Sequence, residues 1–125
     1  MEHGFPTKDW DKAKEETRNL LVERAKRKNT IAYSEVSAQI AHIIYLDAHD
    51  PRLGYLLGEI SEKEHFEKRG MLSVLVVHLS GDMKPGKGFF ELAGELGYDV
   101  SDKAKKEKFW IDELIKVYNY WSEKL

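Results

Sequence analysis

Residues 71–90, MLSVLVVHLSGDMKPGKGFF, decide how this chain is read. Met71 to Leu79 is the most strand-like run in the sequence, rich in valine and leucine and bounded by Gly70 and a glycine-bearing stretch. Two readings compete for the residues beyond it. Residues 81–88, GDMKPGKG, come within one hydroxyl of the phosphate-loop signature G-x-x-x-x-G-K-[ST], with an apolar run before and FFELAGELG after. A phosphate loop needs inward-pointing backbone N–H groups and a hydroxyl to ligate magnesium. Gly88 stands where that hydroxyl belongs, Pro85 supplies no N–H, and no series of βαβ units is legible to carry the loop. Lys84-Pro85-Gly86-Lys87 fits a type II turn instead, with proline second and glycine third. The run therefore predicts a β-hairpin whose exposed tip carries Lys84 and Lys87.

The flanking segments are helical. Trp10, Ala13, Thr17, Leu20, Leu21 and Ala25 recur at helical spacing, predicting a helix from Trp10 to Lys28 capped by Asp9. Its basic tail, Arg24, Lys26, Arg27 and Lys28, suits the negative end of the helix dipole. Thr30-Ile31-Ala32 reads as a short β link. A second helix starts at Ser34 with Val36, Ile40 and Ile43 or Ile44 inward, and YLDAHDPR interrupts it. Pro51 then opens a third helix to Lys68, capped by Asp50, with Leu53, Leu56, Leu57, Ile60 and Phe66 inward. After the hairpin, FFELAGELG is a short strand or a helix stopped by Gly97, SDKAKKEK is a charged connector, and an aromatic helix closes the chain. Three helices and then a hairpin predict an α+β, mainly helical fold: a winged helix-turn-helix with a β-hairpin wing and C-terminal helices. At 125 residues it reads as a single domain, 1–125.

The totals exclude more than they assign. The chain holds 20 basic and 22 acidic side chains, a formal charge of −2, unlike the strongly basic balance of many nucleic-acid binders. It has no cysteine, which removes disulfides, thiolate metal sites and cysteine nucleophiles. No apolar run approaches a membrane span and no secretory leader is legible, so the expected location is cytoplasmic. No cofactor is called for.

TIAYSEVSAQIA, through Thr30, Tyr33, Glu35, Val36 and Ile40, resembles the T-x-Y-x-E-[LV]-A-x-x-I opening of the winged-helix domain of O6-alkylguanine-DNA alkyltransferases and alkyltransferase-like proteins, with Thr30 one residue further from Tyr33 than in that pattern and Ser37 in place of its alanine. The likeness covers about fifteen residues of the chain and implies a winged-helix domain. The P-C-H-R motif of that family is absent, as is any cysteine to accept an alkyl group, so alkyl transfer is excluded. The continuation MLSVLVV…PGKGFFELAGELG resembles small bacterial proteins without an assigned role.

The sequence supports three functional readings. A non-catalytic DNA-binding module with a regulatory role would meet double-stranded DNA through Arg24, Lys26, Arg27, Lys28, Arg52, Lys84 and Lys87. Against it, the third helix carries Glu59, Glu62, Glu64 and Glu67, which outnumber Lys63 and Lys68. A protein-interaction or homodimerisation domain would use the aromatic last helix, FWIDELIKVYNYW, with Trp110, Val117, Tyr120 and Trp121 spread too widely for one face. A small hydrolase or nuclease would gather Tyr33, Glu35, Asp47, His49 or His78 in one cleft. Taken singly, each of these has a plain structural role. Tyr33 packs its ring and sends its hydroxyl to backbone, Glu35 answers a helix dipole, Asp50 is a cap, and His78 is a half-buried strand residue. Asp47 and Asp50 keep the i, i+3 spacing of helical metal ligands, but Asp50 is better used capping the third helix, so no metal site is expected.

Overall fold

The computed structural model describes residues 1–79 and 83–124. Among them lie five α-helices and two short strands: α1 (Thr7–Lys26), β1 (Ile31–Ala32), α2 (Tyr33–Ile40), α3 (Pro51–Phe66), a 3₁₀ turn (Leu72–Leu75), β2 (Val76–Val77), α4 (Lys87–Glu95) and α5 (Lys103–Ser122). The mainly helical α+β architecture expected from the sequence is the one that forms. No described helix is long and apolar enough to cross a membrane.

Met71–Leu79 departs most from expectation. It does not run out as one arm of an antiparallel hairpin. Only Val76 and Val77 are strand, and they pair in parallel with Ile31 and Ala32. Every residue from Gly70 to Val77 is buried, with none of the in–out alternation of a half-exposed strand. A continuous apolar run is compatible with any buried conformation, and here side chains choose between them. The Glu113 carboxylate accepts the Met71 N–H at 2.7 Å and the Ser61 hydroxyl accepts the Ser73 N–H at 2.9 Å. Those amides are thereby withdrawn from any ladder, and the segment becomes a central pin packed against α1, α3 and α5.

The expected exposed tip is also corrected. Ser80, Gly81 and Asp82 lie outside the described residues, but Pro85 is buried and the chain from Met83 to Gly86 forms no regular turn. The His78 N–H donates to the Lys84 carbonyl at 3.1 Å, closing the loop back towards α4. The Phe89-Phe90 stretch takes the helical alternative, and Gly97 ends it at φ 99°.

Other boundaries shift for local reasons. α1 begins three residues early because Pro6 sets the first turn, its carbonyl accepting from the Trp10 N–H; Asp9 falls inside that turn rather than capping it. α3 is capped as expected, Asp50 accepting the Arg52 N–H at 2.9 Å. Phe66, however, is 68% exposed at the end of that helix. SDKAKKEK is no connector: Asp102 caps Lys105 at 2.8 Å, and the good helix formers behind it make the first turns of α5. Glu64 does not face solvent either. It is fully buried between Arg18 of α1 and Arg69, tying α1 to the end of α3.

Candidate ligand-binding cleft

Helices α3 and α4 run side by side, and the segments entering them meet. Leu92 of α4 packs 3.8 Å from the position a Cβ would take at Gly58 of α3. Between the two helices lies a cleft of about 850 Å³, within the range of small-molecule sites at ~300–1,000 Å³. One end is walled by Tyr33, His49, His78 and Gly86, the other by Glu62 and Glu95.

The ring cluster is assembled from three chain segments. Tyr33 opens α2 immediately after β1, and His78 comes directly after β2, so the parallel pairing of those strands delivers both rings to the same place. They stack with centroids 4.4 Å apart and planes at 26°. His49, in the loop before α3, lies nearly parallel to His78 at 6.4 Å. The Tyr33 hydroxyl accepts the Gly86 N–H at 2.8 Å, which fixes the start of α4 against the cluster. Burial pushes the Tyr33 phenol up, only partly offset by that N–H, so it stays protonated and its own O–H remains a donor. A Cβ on Gly86 would sit 2.7 Å from the Tyr33 oxygen and 3.3 Å from His78 Nε2, so only glycine permits this approach. The floor includes Ser73, whose hydroxyl is already bonded to Ser61 at 2.5 Å.

Of the five residues considered for chemistry, three therefore converge: Tyr33, His49 and His78. Glu35 is paired with Arg24, and Asp47 spends an oxygen on the His49 N–H at 2.9 Å. Among the described residues no group of three His, Asp or Glu side chains is placed to hold a metal ion.

The seven cations considered for DNA come from several segments, and most are engaged by other groups of the chain. Arg24 donates to the Thr30 carbonyl and pairs with Glu35, Arg27 pairs with Glu23, and Lys26 and Lys28 stand beside them at the C-terminal end of α1. Arg52 is held by Asp50 and the His3 carbonyl, with its guanidinium 4.8 Å from the Phe5 ring. That is at the opposite end of α1, about 25 Å away by helix rise. Lys87 stands at the rim of the cleft with Glu91 3.5 Å from its Nζ, and the Lys84 carbonyl accepts the His78 N–H. On α5, Val117 and Trp121 are buried and Trp110 and Tyr120 half-buried; the exposed apolar residues there are Ile111 and Ile115.

Sequence reasoning overlooked the glycines. Gly54, Gly58, Gly86 and Gly88 all line the cleft, and a Cβ at Gly54 or Gly88 would meet nothing within 4 Å. Gly54 and Gly58 sit inside α3, where each costs ~1 kcal/mol relative to alanine. Glycine at i and i+4 of a helix was the legible signal. Neither packing nor backbone conformation demands Gly54, yet its absent side chain keeps the cleft open.

Compared with protein families, curated proteins and solved structures, the chain matches none of them.

Proposed function

We propose that this protein is a small-ligand-binding module whose site is the α3–α4 cleft, with Tyr33, His49 and His78 supplying hydrogen-bonding and proton-handling groups. The convergence of those three rings from separate segments onto one open cleft carries the reading. Tyr33 offers a protonated hydroxyl, and imidazoles both donate and accept, which suits orientation of a polar ligand and acid–base work upon it. Glycines that cost helix stability without serving packing agree with a surface shaped for something other than the chain itself.

The test is a thermal-shift screen of a chemically diverse fragment library against the native protein and Gly54→Leu. The new side chain enters open space, so the variant folds, but it occupies the part of the cleft over Gly54. Fragments that stabilise the native protein and fail to stabilise the variant are expected. A library that stabilises neither, or both alike, overturns the reading.

A second reading is the winged helix-turn-helix that binds DNA. Helices α2 and α3 succeed one another in the order this reading requires, which supports it. It predicts duplex binding at about 50 mM salt that falls steeply as salt rises; no binding there removes it. Pairing of two copies through α5, with Ile111 and Ile115 one turn apart on its exposed side, is compatible with either reading and is tested by sedimentation.

A further inference from the structure

The charges along the cleft narrow the ligand. Five carboxylates line it, Asp50, Glu59, Glu62, Glu91 and Glu95, against a single lysine, Lys87. Three are answered from within the chain: Asp50 by Arg52 at 2.8 Å, Glu59 by Lys14 at 3.0 Å, and Glu91 by Lys87. Glu62 and Glu95 have no cationic partner among the described residues. They come from different helices and face the same opening. Gly54, Gly58 and Glu62 stand at i, i+4 and i+8, so one face of α3 runs from the bare backbone of Gly54, past Gly58 beneath Leu92, to the Glu62 carboxylate. On α4, Gly88, Glu91 and Glu95 lie along the facing side. The space between is bare at Gly54, bordered by Tyr55, Phe89 and Leu92, and anionic further along the two helices.

We infer that the cleft takes a flat organic cation, an aromatic ring bearing an amidine or protonated amino group. The ring lies over Gly54, between the His49–His78 pair and Leu92, and the positive group points along the cleft to Glu62 and Glu95. A flat ring suits the open backbone at Gly54, and histidine rings offer a face to stack upon. Two unanswered carboxylates favour a cation and repel an anion of the same shape. A bare divalent metal is a poorer fit, because among the described residues no third ligand joins the two carboxylates. This inference rests on the cleft being a ligand site.

The experiment uses three probes with one ring and three charges: benzamidine, benzamide and benzoate, each titrated at millimolar concentration into the ¹⁵N-labelled protein. Benzamidine is expected to shift the amides of Gly54, His78 and Gly86 and to bind tightest. Its affinity is expected to fall about tenfold, ~1.4 kcal/mol, in the double variant Glu62→Gln, Glu95→Gln. Both positions are exposed, so the double variant keeps the fold. If benzoate or benzamide binds in the cleft as well as benzamidine does, the preference for a cation is overturned while the ligand site stands. Benzamidine binding that the double variant leaves unchanged overturns the preference as well. If none of the three shifts a cleft amide, the inference fails, and the fragment screen decides whether the site itself fails with it.

Discussion

Gly86 and Gly54 sit in the same cleft for opposite reasons, and substitution separates them. At Gly86 a methyl group would press on the Tyr33 oxygen at 2.7 Å, so Gly86→Ala must break the N–H bond to Tyr33 or push the ring off His78. A loss of about 1–3 kcal/mol is expected, from overpacking together with a weakened hydrogen bond. At Gly54 a methyl meets no atom, so Gly54→Ala is expected to stabilise α3 by ~0.5–1 kcal/mol. Urea unfolding of the two variants measures both; equal effects of one sign would mean that the glycines do not differ as described. Tyr33 was the residue most legible in advance. A half-buried tyrosine needs a partner for its hydroxyl, and a backbone amide supplied it. The identity of that amide was not legible, because Gly86 lies far along the chain and reaches Tyr33 only once β1 and β2 have paired.

Among the elements, α1 and α3 are joined by charge as well as by packing. Burial alone would raise the Glu64 carboxyl, but Arg69 and Arg18 hold it below the ordinary glutamate range. The unfolded chain lacks these partners and takes up the proton at higher pH. The stability this carboxylate confers is therefore complete above the ordinary glutamate value and is lost as pH falls through the depressed folded value. Glu64→Gln is expected to cost about 3 kcal/mol near neutral pH, as for a buried ion pair broken on one side. The gap between native and variant should narrow in acid, read from urea midpoints between pH 7 and 3. A gap that stays constant or widens towards pH 3 contradicts this account. Helix existence was largely legible, since the periodic positions Trp10, Val36, Leu53, Leu56 and Val117 are all buried. The strand-like segment was misread because its amides are claimed by Ser61 and Glu113, partners remote in sequence that no local pattern announces. Glu64 was misread for the same kind of reason: a glutamate among surface glutamates gives no sign of two arginines waiting on other elements.

Over the whole molecule, the buried pin at residues 70–77 organises the functional surface. It packs against α1, α3 and α5, and its β2 end pairs with β1, so Tyr33 and His78 emerge together at the mouth of the α3–α4 cleft. Neither Arg24–Lys28 nor α5 contributes a residue to the lining of that cleft. The most direct measurement is amide-resolved mapping, by ¹⁵N–¹H NMR, of the fragment that most stabilises the native protein. The account predicts that the largest shifts fall on Tyr33, Gly54, His78, Gly86 and Gly88. Shifts gathered instead at Arg24–Lys28, or along Ile111 and Ile115 of α5, would contradict it.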